Sequence, residues 1–262
     1  MPELPEVEHQ LKFFKKVALG QRVKRVSITA PNIIRRPGPR RFAAGMIGRE
    51  FVRVERRGKY LIVSLDNGKY LILHFGMGGE LYFYRDTAGR PDYTRIEFFL
   101  ESGWRLGFTC PRKICRVMLV DEPSEVPALR DMGREPLGRS LSYSYFSRII
   151  EESPGRLIKP LLMDQRKIAG VGNIYADEIL FDARVRPDRK AATLSEGEIK
   201  LLHQATRRVL RAALKSGGDP DFPSDFLVSR SWRSAPCSVC GNPIERKTIG
   251  GRTAYFCLNC QK

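Results

Sequence analysis

Lys59-Tyr60-Leu61-Ile62-Val63-Ser64-Leu65-Asp66-Asn67-Gly68-Lys69-Tyr70-Leu71-Ile72-Leu73-His74-Phe75 is two apolar, β-branched runs on either side of Asp66-Asn67-Gly68. Asn-Gly tolerates the positive φ that tight turns demand, and the flanking runs have strand composition, so the stretch reads as a β-hairpin. A second pair of runs, Arg95 to Leu100 and Trp104 to Thr109, brackets the turn residues Glu101-Ser102-Gly103. Short strands of this kind recur from about Gln21 to Val120, which makes the first half of the chain mainly β. A short helix precedes them over about Glu6 to Lys16, where Val7, Leu11 and Phe14 share one helical face.

Beyond the strands the pattern changes. From about Pro127 to Leu141, Pro, Gly and charged residues interrupt it, as in a linker. Tyr143 to Glu152 is periodic, and Ser153-Pro154 predicts a new helix start, with Ser as N-cap and Pro at the first helical position. Gly170-Val171-Gly172-Asn173 predicts a turn into a helix over Ile174 to Phe181. Ser195-x-x-Glu198 is a capping box that opens a long helix with Ile199, Leu202, Ala205 and Val209 on one face, stopped by Gly217-Gly218. Helices joined by a glycine turn resemble a helix-turn-helix arrangement. The two Gly-Lys-Tyr-Leu-Ile segments open successive strands and are no internal repeat.

The chain has 46 Lys plus Arg against 29 Asp plus Glu, a formal charge of +17, which favours a polyanionic partner, nucleic acid first. No apolar run is long enough to span a membrane, and the N-terminal residues lack the character of a signal peptide, so an intracellular protein is expected. Six cysteines in 262 residues do not make a disulfide scaffold. Four of them, Cys237-x2-Cys240 and Cys257-x2-Cys260, lie sixteen residues apart as two pairs, the spacing of a four-cysteine zinc ribbon. Four thiolates leave no open coordination position, so the metal would be structural. Arg230 to Lys262 holds six basic residues and one acidic, which suits a ribbon facing phosphates.

Pro2-Glu3-Leu4-Pro5-Glu6-Val7-Glu8, Gly170-Val171-Gly172-Asn173-Ile174-Tyr175 and the terminal cysteine ribbon together resemble the formamidopyrimidine-DNA glycosylase family, in order and across nearly the whole chain. The resemblance implies an α+β chain: a two-layer β-sandwich over residues 1–126, a linker and helix-two-turn-helix domain over 127–218, and a zinc ribbon over 219–262. It implies a bifunctional DNA glycosylase and abasic-site lyase of base excision repair. Its partner would be damaged double-stranded DNA and its only cofactor one structural zinc, with no membrane and no small-molecule cofactor. A monomer acting on the chromosome in a bacterial cytoplasm is expected.

The residues suit that chemistry. Removal of Met1 leaves Pro2 as a secondary amine, and an α-amino group titrates near pH 8 against about 10.4 for lysine, so more of it is nucleophilic at neutral pH. Glu3, beside it, is suited to shuttle protons to the sugar ring oxygen. On residues alone, Pro2 and Glu3 read as an ordinary polar terminus. Lys59 reads as a strand-end surface lysine and Glu6 as a first-turn helix residue. The resemblance makes all four active-site groups and adds Arg252 from the ribbon hairpin. It also implies DNA contacts by His74, Lys159, Asn173 and Arg252, filling of the flipped base's gap by Met77, pairing of Arg112 with the orphaned base, and a wedge position at Ile114. Without it His74 and Met77 read as core residues.

Two departures stand out. The family pattern Asp-Pro-Arg-x-Phe-Gly is here Cys110-Pro111-Arg112-Lys113-Ile114-Cys115, with Ile114 in place of an aromatic wedge and two cysteines that read as small buried residues. The connection Asp219 to Ala235 is shorter than the family's, which includes a loop over flipped 8-oxoguanine. That shortening favours a more open pocket and leaves an endonuclease VIII-like preference for oxidised pyrimidines or bulky lesions as an alternative. A non-catalytic damaged-DNA-binding protein is a second alternative, against which the joint presence of Pro2, Glu3 and Lys59 argues.

Overall fold

The computed structural model describes residues 2–231 and 235–262, so Met1 and its removal lie outside the described residues. The chain forms two compact units: Pro2 with Glu6–Asp131, and Glu3–Pro5 with Met132–Lys262. In chain order the first unit takes in helix α1 (Leu4–Val17) from Glu6 onward, β1 (Val23–Ile28), β2 (Ile34–Arg36), α2 (Pro39–Met46), β3 (Phe51–Arg57), β4 (Tyr60–Leu65) and β5 (Tyr70–His74). It continues with β6 (Glu80–Tyr84), β7 (Thr94–Leu100), β8 (Arg105–Thr109), β9 (Arg116–Val120) and α3 (Pro127–Arg130). The second contains α4 (Tyr143–Glu151), α5 (Ile158–Leu162), α6 (Asn173–Asp182), α7 (Glu196–Ser216), α8 (Leu227–Ser231), β10 (Glu245–Ile249) and β11 (Arg252–Phe256). Among the described residues, no helix is long and apolar enough to cross a membrane.

The strands of the first unit make two sheets, ordered β1-β7-β8-β6 and β2-β9-β5-β4-β3. Both predicted hairpins form, as β4–β5 and β7–β8. In the first, Leu65 donates to the Lys69 carbonyl at 2.8 Å and Gly68 takes φ +79°, the left-handed position of a three-residue loop. Glu101-Ser102-Gly103 repeats the device, with Leu100 donating to Trp104 at 2.9 Å and Gly103 at φ +82°. Period-two alternation sends Leu61, Val63, Leu71 and Leu73 of one sheet and Ile96, Phe98, Leu106 and Phe108 of the other into a single core, which makes a sandwich. Val7, Leu11 and Phe14 of α1 enter the same core. Phe51 meets Phe14 edge-on at 5.2 Å and Phe98 at 6.0 Å. Cys110 and Cys115 are buried, as read from the sequence, but they are also joined by a disulfide, which the sequence reading did not include.

In the second unit α4 is capped by Ser142, whose hydroxyl accepts from the Tyr145 N–H at 3.2 Å. The capping box of Ser195 and Glu198 opens α7, and Gly217 at φ +115° closes it. The helix start expected at Ser153-Pro154 does not form; α5 begins at Ile158. Backbone groups of that stretch are taken by a distant segment instead: Ile158 donates to Arg189 at 2.8 Å, Ala191 to Arg156 at 2.8 Å and Ala192 to Pro154 at 3.1 Å. Long-range pairing outweighs a local signal worth about 1 kcal/mol. Pro160 then falls in the first turn of α5, where its missing N–H has no intrahelical use. In the ribbon, Gly250 and Gly251, at φ +57° and +75°, supply the two positive-φ positions of a tight turn between β10 and β11.

Because Phe51 joins α1 and the four-stranded sheet in one aromatic cluster, Phe51→Ala should cost about 3–5 kcal/mol of stability. Urea denaturation followed by near-ultraviolet circular dichroism reads it; a loss below about 1 kcal/mol would place the packing elsewhere.

Candidate functional site

Helix α6 has no side-chain cap of its own, since its N-cap is Gly172. The Glu3 carboxylate takes that place. It accepts from the Gly172 N–H at 2.7 Å, the Ile174 N–H at 3.0 Å and the Tyr175 N–H at 3.3 Å, and Glu3 is only 1% exposed. An anion at a helix N-terminus is favoured both by the orphan N–H groups and by the dipole. The Leu4 N–H donates to the Gly170 carbonyl at 3.1 Å, and Gly170, at φ +82°, lets the turn lie directly on the Leu4 side chain, where a Cβ would come within 2.7 Å. Gln165 closes the turn from its other side, accepting from Gly170 and donating to the Met163 and Val171 carbonyls. Asn173, the first residue of α6, is half-buried, with its Oδ1 buried and without a hydrogen-bond partner. Half-buried Pro2 directly precedes Glu3.

A second group forms at one end of the five-stranded sheet, where β4 starts, β5 ends and β9 starts. Lys59 is buried there, and the Tyr60 and His74 rings, on paired positions, lie 4.7 Å apart. Burial, then Arg116 and Lys59, push the His74 imidazolium down to about 4, so the ring is neutral at neutral pH. Its Nδ1 accepts the Gly76 N–H at 3.3 Å, which puts the ring hydrogen on Nε2 as a donor. Met77 is half-buried, while Arg112 and Ile114 are exposed. An Arg112 Nη1 lies 3.6 Å from the Met77 sulfur. Glu6 is half-buried in the first turn of α1.

Lys159 does not lie where a phosphate contact requires. Its side chain is 0% exposed; the ammonium sits 2.8 Å from Asp177 Oδ1 and donates to the Thr253 carbonyl at 2.7 Å. Asp177 also accepts from the Tyr255 N–H at 3.1 Å, so the pair ties α5 and α6 to β11. Burial opposes both charges, lowering the lysine and raising the carboxyl, while each partner favours the other's ionised form. An ammonium already engaged on these groups holds the ribbon and does not reach for solvent.

The four ribbon sulfurs lie within 4.8 Å of one another, with Cys237 to Cys260 at 3.8 Å and Cys240 to Cys257 at 3.5 Å. A tetrahedron with zinc–sulfur bonds of about 2.3 Å has edges of about 3.8 Å, so the sulfurs fit that ion with a closed shell. Arg252 opens β11 just after the glycine turn and is exposed.

Sequence reasoning missed Gln165, Asp177, Glu178 and Gln261. Glu178 is 2% exposed and accepts from the Leu227 and Val228 N–H groups at 2.9 and 2.8 Å. Gln261 bridges the Cys257 N–H and the Val185 carbonyl, both at 2.8 Å. The carboxylates did carry a signal: Asn173–Asp182 is apolar on almost every side, and acids inside such a helix must be buried and partnered.

Three family models match the chain: the formamidopyrimidine-DNA glycosylase N-terminal domain over residues 1–117, the H2TH domain of that glycosylase over 132–221, and a zinc finger found in FPG and IleRS over 235–262. The formamidopyrimidine-DNA glycosylase of Thermus thermophilus is 38% identical over the whole chain and 98% of its own length. A crystal structure of MutM (Fpg) from the same species matches 99% of this chain and 98% of its own at 37% identity, with a TM-score of 0.83. Lactococcus lactis Fpg in complex with a FAPY-dG-containing DNA matches 99% of this chain and 100% of its own at 28% identity, with a TM-score of 0.89.

The buried position of Lys159 separates two roles. Lys159→Met should lower stability by about 3–5 kcal/mol, the cost of leaving Asp177 buried and unpaired, while the salt dependence of DNA binding keeps its slope. A stable Lys159→Met protein whose slope falls by about one would instead identify a phosphate contact.

Proposed function

The chain belongs to the formamidopyrimidine-DNA glycosylase family, and from that membership we propose which of its residues carry base excision and strand cleavage. It is a DNA glycosylase and abasic-site lyase of base excision repair, and its ribbon cysteines hold one structural zinc. The zinc shapes the hairpin that bears Arg252 and supplies no reacting group.

Pro2 is the nucleophile. Its amine attacks the sugar C1′, the bond from C1′ to the base breaks, and the base leaves with a proton. Loss of the amine hydrogen, protonation of the ring oxygen and breaking of the bond from C1′ to that oxygen open the sugar and leave an iminium; loss of a C2′ proton then expels the 3′ phosphate by elimination, and water hydrolyses the remaining imine linkage to release Pro2. Glu3 serves the proton steps at the ring oxygen. The observation that carries this reading is the Glu3 carboxylate fixed on α6: three N–H donors hold the residue next to the nucleophile in one place. Lys59, buried beside His74, stabilises the leaving phosphate. Glu6 supports the same chemistry, and Arg252 grips the phosphates flanking the lesion. The neutral His74, with its Nε2 donor, and Asn173 at the head of α6 fit phosphate contacts, which position the duplex without reading sequence. Met77, Arg112 and Ile114 fit the space of the displaced base.

The short connection after α7 supports an open lesion pocket. Within it Phe226, Leu227 and Val228 are buried, and Glu178 holds the start of α8 against α6, so these residues pack onto the helices. This favours ring-opened, pyrimidine-derived or bulky lesions over 8-oxoguanine. The bacterial relatives favour a cytoplasmic enzyme acting on the chromosome.

Borohydride trapping on duplexes bearing an abasic site, a formamidopyrimidine, an oxidised pyrimidine or 8-oxoguanine tests the reading. A covalent adduct is expected with the wild-type enzyme, on the peptide that begins at Pro2 after proteolysis, with 8-oxoguanine trapped least. An adduct mapped to any other peptide would remove Pro2 from its role, and DNA binding without any adduct would favour a non-catalytic protein.

A further inference from the structure

The loop between β8 and β9 is closed at its base by a covalent bond. Cys110 and Cys115 are both 0% exposed and disulfide-bonded, yet all four residues between them, Pro111, Arg112, Lys113 and Ile114, are exposed. The bond closes a six-residue ring with its sulfurs in the core and its rim in solvent. The rim is held in a single shape. Lys113 has φ +53°, a left-handed conformation that a lysine keeps only where its surroundings impose it. Its N–H donates to the Cys110 carbonyl at 3.2 Å, and its own carbonyl accepts from Asn32 Nδ2 at 3.4 Å. Beneath the ring, the turn after β5 is packed so closely that a Cβ on Gly76 would come within 2.9 Å of the Cys115 nitrogen, and one on Gly79 within 2.9 Å of its sulfur.

We propose that the Cys110–Cys115 disulfide is a positioning crosslink that presents Arg112, Lys113 and Ile114 as a preformed wedge for opening duplex DNA at the damaged base; this rests on the function proposed above. Ile114 is 46% exposed beside two cations, an arrangement unsuited to water but suited to a DNA groove, with the cations on phosphates or base edges and the apolar group between stacked bases. An open loop would lose backbone freedom on insertion, whereas a closed ring has lost it already. Because both sulfurs are buried, a reductant reaches them only when the loop opens locally, which favours persistence of the bond in the presence of monothiols. The wedge matters most where a base is still stacked. A duplex already missing that base has nothing to unstack.

The experiment compares excision of an oxidised base with cleavage at a preformed abasic site. It uses the zinc-loaded wild-type enzyme before and after reduction by a water-soluble phosphine with zinc present, and Cys110→Ser/Cys115→Ser. Denaturing alkylation first counts thiols: four are expected without reductant and six with it. Reduction, or the double substitution, should lower kcat/KM for base excision about tenfold and leave abasic-site cleavage within about twofold. Reoxidation should restore the wild-type enzyme, and the phosphine should leave the double variant unchanged. Six thiols without reductant, an equal fall on both substrates, or no fall on either would each overturn the proposal. Inactivity of the untreated wild-type enzyme on every duplex would instead bring down the functional reading beneath it.

Discussion

Helix α6 has a glycine at its N-cap and borrows a capping group from a carboxylate 169 positions before that glycine. An ordinary side-chain cap contributes about 1 kcal/mol; a buried carboxylate facing three N–H groups at a helix N-terminus has no water to replace them, so its removal leaves those donors orphaned. Much of the helical unit is arranged around that contact. Gly170 takes a left-handed conformation so that the turn can lie on Leu4, Gln165 closes the same turn, and Leu4 packs into the core formed by α4 to α7. Pro2, one residue from the anchored carboxylate, starts from a fixed neighbour, which suits the nucleophilic role proposed for it.

The rest of the helical unit uses buried polar groups in the same manner. Asp177 and Glu178, adjacent on α6, reach different partners: Asp177 holds Lys159 and the backbone of β11, and Glu178 holds the first N–H groups of α8. With Gln261 bridging to Val185, they fasten the ribbon and the connection leading to it onto the helices. Zinc closes the cysteine ribbon, but these side chains decide how it is carried. Breaking such a pair by removing one partner is far more costly than never having made it.

What could be read from the sequence follows the range of each interaction. The β4–β5 hairpin, the capping box at Ser195, the stop at Gly217 and the paired cysteines of the ribbon are all decided within a few residues, and each appears in the structure. Ser153-Pro154 carries an equally local signal that loses to backbone pairing with residues 189–192. The family resemblance points Lys159 to phosphate, whereas only the fold reveals Asp177 beside it. The bond between Cys110 and Cys115 could not be inferred from spacing, because five residues of separation neither demand nor forbid it until the loop's shape is known.

The Glu3 contact is most directly tested by amide hydrogen exchange at Gly172, Ile174 and Tyr175 in the wild-type enzyme and in Glu3→Ala, with the amides of the middle of α7 as an internal reference. These three amides should lose protection by about tenfold or more while the reference amides keep theirs. Unchanged protection at the three positions would contradict that expectation, because the carboxylate would then not be what caps the helix.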